Sequence, residues 1–511
     1  MTGVLAATIC VLPGRSDREP PRDVWSELAA TLCATDAGAF HQLPARYRLL
    51  VPDTRRVSPD GGHWQFRTLN IQPRVKPGCP VLLDIDVGNW FCVADKLDVS
   101  IRQESIPDAK WVRNVASIEV REHVERAGRV FKSLKSAGWA VERAEFTALP
   151  LAPPVIETAA GSVDYTPDRL SNIARMCFDK QSQPVFGVMQ LEGRGSVAKA
   201  ESALRETWRG LVRSDAALSI REVSDPCERE GFAVLVLIPD SVDLSARPDL
   251  RDRLRDWEAA GYRFKLMRVT SLNDRFSVQN ICFDLAGIAG AMHWGAARNV
   301  RPVVAFDAGH DTGACRSRWA CAEIDDGLQV TRLRAVDGGL AEHIPDPVAE
   351  QFWPRQPHAM VLRDGRLARE RVAFMRRAKD DGRWLLEVKK RPHAVLFRRN
   401  MHSNPIQGAR YGDALVDPHG DVLLQTISQR SGDCVHPIRV SAEEVDRRDQ
   451  LQALFDQTAV RTLSMFRPVR LPGGIYWADL VSKLDKTGWS QAIGRGWRLA
   501  TLVPQDRGWL Q

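Results

Sequence analysis

Two acidic residues in the second half of the chain each follow an apolar run. Asp307 follows "VVAF" and Asp364 follows "MVLR", and runs of this kind predict buried strands. If the two strands are parallel neighbours, both carboxylates emerge at one end of the sheet. Carboxylates that converge on one point can hold magnesium and cleave a phosphodiester, because this hard cation takes oxygen ligands. The alternative, that each aspartate only forms a turn by bonding to its own backbone, stays open at this stage.

The composition is that of a globular protein. The chain has 511 residues, of which 44% are hydrophobic and 26% are charged, and this length predicts two or three domains. No run of the roughly 20 apolar residues that span a bilayer is present, so we expect no membrane association and a cytoplasmic location. The net charge of +7 favours an anionic partner.

The pattern of apolar residues changes along the chain. A segment rich in Pro, Gly, Ser and Thr at 149–168 predicts a boundary near residue 160. Strands such as "FAVLVLIPD" (232–240) then alternate with amphipathic helices, which predicts a small Rossmann-like domain. From residue 299 the pattern predicts a hairpin around Asp326 and Gly327 and then a second buried strand that ends in an acid. Several strands followed by such a strand is the ribonuclease H arrangement.

These pieces resemble a known family. The stretches "VVAFDAGHD", "HAMVLRDGRL", "EVKKRPHAVLF" and "RLPGGIYWADLVSKL" occur in the order and approximate spacing of a PIWI domain, and residues 262–294 resemble the 5′-end-binding part of a MID domain. The chain therefore resembles a short prokaryotic Argonaute over its last two thirds. The implied fold class is α/β, a Rossmann-like MID domain (161–298) before a ribonuclease H-like PIWI domain (299–511), with an α/β N-terminal region (1–160) of unassigned role.

The resemblance assigns roles to the acidic residues. Asp307 falls on the first catalytic aspartate of the family's tetrad and Asp364 on the third, so both would bind Mg²⁺. Glu342 is the best match for the second, glutamate position, although Pro345 and Pro347 are expected to cut short the helix that follows it.

The fourth tetrad position departs from the family. It falls near Ile427 or Ser428, which are poor magnesium ligands, although Asp421 and His436 are nearby residues that could substitute. Losing one positioned group at such a site commonly costs about 3 kcal/mol of barrier, or a hundredfold in rate. The tetrad is therefore predicted to be incomplete and the nuclease inactive.

The resemblance also implies nucleic-acid contacts. The guide 5′ end would be bound by one set of residues and the guide backbone by a basic strand edge, and Mg²⁺ could also lie at the 5′ end. A second lysine that the family uses for the 5′ phosphate is absent, which implies weaker phosphate binding or a different 5′ end. The alternative to these binding roles is a structural one. Tyr262 would then be a half-buried tyrosine, Lys265 a lysine whose stem is buried while its charge reaches water, and the basic strand a solvated edge strand. The 5′-end set is Tyr262, Arg263, Lys265, Arg275 and Gln279, and the backbone set is Lys389, Lys390, Arg391 and Arg398.

Three functions remain open from the sequence. The first is a guide-dependent sensor of a prokaryotic immune system, which pairs a guide, expected to be RNA, with target DNA and activates an APAZ-containing effector of TIR, sirtuin-like or nuclease type. The second is a guide-directed endonuclease that uses Asp307, Glu342 and Asp364 with Mg²⁺. The third, outside the family, is a nucleotide-binding protein with "DAGHD" as a phosphate turn, but the second glycine-rich loop that this class needs is missing.

Overall fold

The structure is a computed structural model of the whole chain. The description below covers residues 2–11, 24–35, 40–44, 47–179, 183–193, 195–212, 218–224, 232–244, 246–259, 264–298, 300–311, 316–339, 345–354, 356, 358–365, 371–400, 406–429, 434–442, 445–460 and 469–482. None of the helices in this part of the chain is both long enough and apolar enough to span a membrane.

The chain divides into two compact units, and neither is a continuous segment. The first unit contains residues Met1–Leu151 and Lys389–Glu444, and the second contains Ala152–Val388 and Val445–Gln511. The first division along the chain falls after Leu151, and the domain boundary expected near residue 160 stays a prediction. The three consecutive domains of the sequence prediction did not anticipate that residues 389–444 would join the N-terminal region.

The first unit is built mainly from antiparallel sheets. Strands and helices are numbered along the whole chain. This unit contains β1 (Thr2–Ala6), β2 (Thr8–Val11), β3 (His41–Gln42), β4 (Arg48–Val57), β5 (His63–Arg74), β6 (Val81–Val93), β7 (Val141–Arg143), β8 (Thr147–Ala148), β21 (Leu396–Asn400), β22 (Ile406–Gly408), β23 (Ala414–Val416), β24 (Val422–Leu424) and β25 (Ile438–Ser441), with α1 (Val24–Thr35), α2 (Ala109–Ala116) and α3 (Val120–Ser136).

A six-stranded sheet in the order β3-β4-β5-β6-β2-β7 supports the core of this unit. Helix α3 packs on it because Ala127, Val130 and Leu134 recur at helical spacing and are buried against strand residues such as Ile85. A smaller sheet has the order β1-β21-β22, and the strands β8, β23, β24 and β25 pair with one another in that order. The apolar face of α3 thus points toward this sheet.

Four charged side chains are buried together in the first unit. Asp84 on β6 is fully buried, and its carboxylate lies 2.7 Å from Arg74 Nε and 2.6 Å from Arg439 Nη2. Arg74 also donates from Nη1 to Asp417 Oδ2 at 2.7 Å. Burial raises the pKa of Asp84, but the two arginines outweigh it and hold that pKa below its usual value. Asp84 therefore carries its charge at neutral pH.

The second unit contains the remaining strands and helices. They are β9 (Val155–Thr158), β10 (Gly161–Asp164), β11 (Val185–Gln190), β12 (Ser219–Glu222), β13 (Phe232–Ile238), β14 (Phe264–Arg268), β15 (Trp294–Ala296), β16 (Val303–Asp311), β17 (Arg316–Ile324), β18 (Val330–Gly339), β19 (Met360–Asp364) and β20 (Leu385–Lys389), with α4 (Leu170–Met176), α5 (Val197–Val212), α6 (Pro248–Ala259), α7 (Arg275–Ile288), α8 (Asp346–Phe352), α9 (Arg371–Asp380), α10 (Arg447–Asp456) and α11 (Gly473–Ser482).

One sheet of the second unit is fully parallel, in the order β12-β11-β13-β14. Every residue of β13 is buried, as expected for a strand covered on both faces. Helices α5, α6 and α7 connect or follow its strands. The Rossmann-like arrangement predicted from the alternation of strands and helices is confirmed.

Five further strands of this unit pair with one another in the order β18-β17-β16-β19-β20. Strands β16, β17 and β18 are antiparallel, and the predicted hairpin around Asp326 and Gly327 joins the last two. Strands β19 and β20 run parallel to β16. Three antiparallel strands on one side, with two parallel strands added on the other side of β16, form the ribonuclease H arrangement. The sequence expectation is therefore confirmed.

A buried carboxylate near the end of α10 gives a testable pH dependence. Asp456 is 6% exposed, and burial raises its pKa above the usual value. The ionised form therefore costs stability at neutral pH, and this cost disappears as the pH falls through the folded and then the unfolded pKa. We expect Asp456→Asn, which keeps an acceptor for Gln452, to raise the free energy of unfolding by about 1 kcal/mol at pH 7.

Urea unfolding at pH 7 and pH 4 measures this effect. The gain should shrink at pH 4, whereas Asp449→Asn, exposed on the same helix, should change little at either pH. A gain that is the same at both pH values would show that ionisation of Asp456 is not its cause.

Candidate functional site

The two aspartates lie at the same level of neighbouring parallel strands. Asp364 is the last residue of β19, whereas β16 continues beyond Asp307 to Asp311, which corrects the expectation that both acids stand at strand ends. Strand β16 pairs with β19 in a register that places Phe306 opposite Arg363, so Asp307 and Asp364 follow directly on each strand. Residues in register on parallel strands point to the same face of the sheet. The expectation of parallel neighbouring strands is therefore confirmed, and the register brings both acids side by side on one sheet face.

The surroundings of Asp307 are tightly packed. Its side chain is 3% exposed, and Oδ1 accepts a hydrogen bond of 2.7 Å from the backbone N–H of Ala308. Helix α11 covers this sheet face at close range, because a methyl group on Gly474 would come within 2.9 Å of the Ala305 side chain. The end of the same helix, at Ser482, reaches Gly309. Asp307 therefore lies between two points of close helix contact.

The second position of the predicted tetrad cannot be placed in the same way. Glu342 lies outside the described residues. The helix after it, α8, begins at Asp346, with Pro345 as its N-cap residue and Pro347 in its first turn. Proline is well tolerated at both positions, because the first turn has no backbone hydrogen bond to lose. The two prolines thus begin this seven-residue helix, and the expectation that they shorten it stays a prediction.

The chemistry of the two aspartates suits magnesium. Carboxylate oxygens are the hard donors that Mg²⁺ prefers, and Asp307 and Asp364 would supply two of them. A bound ion would activate a water and stabilise a leaving oxygen. Within the described ranges, no three His, Cys, Asp or Glu side chains are grouped so that they could hold a metal ion.

The residues near the fourth tetrad position belong to the first unit. Ser428 Oγ accepts a 3.0 Å hydrogen bond from the backbone N–H of Tyr411. Of the two substitutes, Asp421 accepts a 2.7 Å hydrogen bond from Ser441 Oγ, and His436 Nε2 lies 3.7 Å from Asp86 Oδ1. Each of these side chains thus has a structural contact within its own unit.

The residues predicted to bind the guide 5′ end have different environments. Tyr262 and Arg263 lie outside the described residues. Arg275 is exposed and Gln279 is half-buried, four residues apart on one side of α7. Lys265, in contrast, is 4% exposed, and its Nζ lies 3.1 Å from Asp284 Oδ2 on α7. A buried ion pair of this kind ties β14 to α7, and guide binding by Lys265 stays a prediction.

The residues predicted to follow the guide backbone do not form one strand edge. Strand β20 ends at Lys389 and β21 begins at Leu396, so Lys390 and Arg391 lie in the connection between them. Lys389 Nζ donates to Gln72 Oε1 at 2.9 Å. Arg398 binds Asp413 through both Nε and Nη2, with 2.8 Å for the first bond. Arg391 is exposed.

Sequence reasoning missed two carboxylates at the carboxyl edge of the parallel sheet. Asp240 follows β13 and accepts hydrogen bonds from Thr270, 3.2 Å from its N–H and 2.8 Å from its Oγ1. Asp274 caps α7 and accepts from the backbone N–H groups of Phe276 at 3.1 Å and Ser277 at 3.3 Å. Ligands of parallel α/β sheets bind at this edge. The available signals were an acid directly after a buried strand and an acid directly before a helix.

Comparisons with known proteins identify the fold. A scan against protein-family models and a search of curated sequences gave no match. In structure, the chain is similar to Clostridium butyricum Argonaute bound to a guide DNA with a 5′ deoxycytidine and a 19-mer target DNA (TM-score 0.68, 11% identity, 95% of this chain and 87% of that chain covered). It is also similar to Marinitoga piezophila Argonaute in complex with 5′ OH guide RNA and target DNA (TM-score 0.61, 10% identity, 88% of this chain and 84% of that chain covered). Drosophila Piwi is a third similar structure (TM-score 0.59, 11% identity, 94% of this chain and 88% of that chain covered).

The site and the comparisons define the class of the fold. The chain has the Argonaute fold, with a Rossmann-like parallel sheet followed by a ribonuclease H-like sheet that carries two aspartates on neighbouring parallel strands. The α/β fold class expected from the sequence is therefore confirmed.

Proposed function

We propose that this chain binds a short guide strand and pairs it with a complementary target. The observation that carries the proposal is the Argonaute fold along almost the whole chain, shared with proteins whose structures hold guide and target strands. In such a complex base pairing supplies the sequence specificity, and protein contacts go mainly to the backbone. The net charge of +7 is consistent with such backbone contacts.

The finer proposal is a sensor of a short prokaryotic Argonaute type rather than a nuclease. Ile427 and Ser428, at the fourth tetrad position, are poor magnesium ligands, which supports an inactive PIWI site. The guide would be RNA and the target DNA, and the paired duplex would activate an APAZ-containing effector of TIR, sirtuin-like or nuclease type in an immune response. The site residues proposed above for the guide 5′ end and backbone keep those roles here.

A guide-directed endonuclease is the second candidate. It is favoured by one specific observation, the position of Asp307 and Asp364 side by side on neighbouring parallel strands. These residues would hold Mg²⁺, and Glu342 would complete the set.

Binding and cleavage assays on the same preparations separate the two candidates. With labelled complementary targets, a matched guide and magnesium, we expect guide-dependent target binding without a cut, and no effect of Asp307→Asn on that binding. A single cut opposite the guide, lost in Asp307→Asn but retained in the exposed control Asp346→Asn, would establish the endonuclease. Failure to retain any guide would contradict the proposed function itself.

A further inference from the structure

A cavity within the first unit is lined by charged and polar side chains. It lies where α2 and α3 meet strands β4 and β5, and its volume is about 700 Å³. Cavities of roughly 300–1,000 Å³ are of the size that proteins use for small ligands. The lining that the structure describes consists of five arginines, three glutamates, one asparagine and one serine. A ligand of this cavity must therefore be polar and charged.

Arg67 on β5 forms a fixed positive wall of the cavity. It is 4% exposed, and its guanidinium donates to the backbone oxygens of Val115 at 2.8 Å and Ser117 at 2.6 Å, where α2 ends. Its Nε lies 3.2 Å from Glu122 Oε1 on α3. The position of this buried charge is therefore set by the fold.

Two further guanidinium groups stand near this wall. Burial lowers the pKa of Arg67, Glu122 partly offsets that effect, and the charges of Arg56 and Arg126 lower the pKa further. The ion pairs of Arg126 are long, 3.9 Å to Glu122 and 3.8 Å to Asp53. Like charges that the fold holds together are costly unless an anion compensates them. The arrangement therefore favours an anionic ligand between Arg56, Arg67 and Arg126.

The carboxylates of the cavity narrow the kind of anion. Glu119, Glu122 and Glu125 belong to the same lining. A nucleic-acid strand carries a phosphate at every nucleotide and would bring negative charge against all three. A nucleoside polyphosphate instead concentrates its charge at one end, where guanidinium groups bind phosphate oxygens well. The hydroxyl and amino groups at its other end can donate hydrogen bonds to carboxylates.

We propose that this cavity binds a nucleoside polyphosphate, with the phosphates on Arg56, Arg126 and Arg129 and the nucleoside against the glutamates. Arg126 and Arg129 are three residues apart on α3 and therefore lie on one side of it. The Asp53 carboxylate, 3.6 Å from Arg129 Nη1, is exposed and can exchange its place with a phosphate. The lining residues differ from those proposed to bind the guide and Mg²⁺, so this site goes beyond the proposed function.

Titration calorimetry of the full chain with ATP, pyrophosphate and adenosine, without magnesium, tests the class of ligand. We expect one molecule of ATP to bind per chain. Pyrophosphate should bind about tenfold more weakly because it lacks the nucleoside, and adenosine should give no heat at the same concentrations because it lacks the charge. Raising the salt should weaken ATP binding, since charges near the surface are screened.

Charge-removing variants assign the binding to the cavity. Arg126→Gln and Arg56→Gln each remove one guanidinium and should each weaken ATP binding about tenfold. Arg56 is exposed, so its replacement leaves the fold intact and tests the site independently of Arg126→Gln. The matched control Arg102→Gln removes an exposed guanidinium of the same unit outside the cavity and should leave ATP binding unchanged.

The outcomes separate this site from the proposed function. Absence of ATP binding, or equal weakening by Arg102→Gln, overturns the site, and pyrophosphate binding as tight as that of ATP overturns the assignment to a nucleoside. A saturating guide–target duplex should leave the affinity for ATP unchanged. Displacement of ATP by the duplex would assign the cavity to nucleic acid and overturn the proposal, whereas failure to bind any guide contradicts only the proposed function.

Discussion

Replacing Asp84 by alanine is expected to lower the free energy of unfolding by about 3–5 kcal/mol. The reason is that Arg74 and Arg439, both almost fully buried, would lose the carboxylate that compensates their charge. Arg74 would still bind Asp417, but Arg439 would lose the ion pair that it forms with Asp84. Breaking a buried pair on one side is far more costly than the net value of the intact pair, because the remaining charge stays desolvated.

Urea unfolding followed by circular dichroism and by tryptophan fluorescence measures this loss. The matched control is Glu125→Ala, which breaks an ion pair with Arg121 of similar length, 2.7 Å, at two exposed side chains. Exposed pairs contribute little because water and salt screen them, so the control should change the midpoint only slightly. A loss for Asp84→Ala no larger than for the control would show that the buried network is not a source of stability.

The second large effect is expected from Gly309→Ala. A methyl group at this position would overlap the backbone carbonyl of Ser482 at the end of α11, and a backbone group cannot move aside as a flexible side chain can. Overpacking of this kind typically costs about 1–3 kcal/mol. The strain falls two residues from Asp307, so any guide or metal chemistry at that sheet edge should weaken together with stability.

The control for this variant is Gly128→Ala. Gly128 lies within α3, and a methyl group there would meet nothing within 4 Å. Alanine favours the helix and reduces the entropy of the unfolded chain, so this change should raise stability by about 0.5–1 kcal/mol. If Gly309→Ala were as stable as the parent, the close approach of α11 to β16 would be disproved.

The elements that carry the candidate site could be predicted because their signals are local. The apolar runs before Asp307 and Asp364 are long enough to indicate buried strands, and the Asp326-Gly327 turn indicates a hairpin. The partner of Lys265 could not be predicted in this way. Whether that lysine faces a ligand or Asp284 depends on how α7 packs on β14, which no short pattern encodes.

The division of the chain into units was also beyond local reasoning. The strand pattern of residues 389–444 continues that of the preceding segment, so the sequence favours one continuous C-terminal domain. The register of β1 with β21, Thr2 opposite Asn400, is instead a pairing between distant parts of the chain. Pairing between distant strands depends on how much apolar surface the whole fold buries. Residue propensity and periodicity are local properties, so they do not predict it.

The discontinuous first unit has a consequence for synthesis on the ribosome. At roughly 5–20 residues per second, the strands up to Leu151 wait tens of seconds before β21 and β25 are made. During that time β1 lacks its partner strand β21, so its backbone edge is unpaired. Asp84 also lacks its ion pair with Arg439. Completion of this unit is therefore a late, long-range event, and a nascent chain stalled before residue 440 should be a preferred client of chaperones.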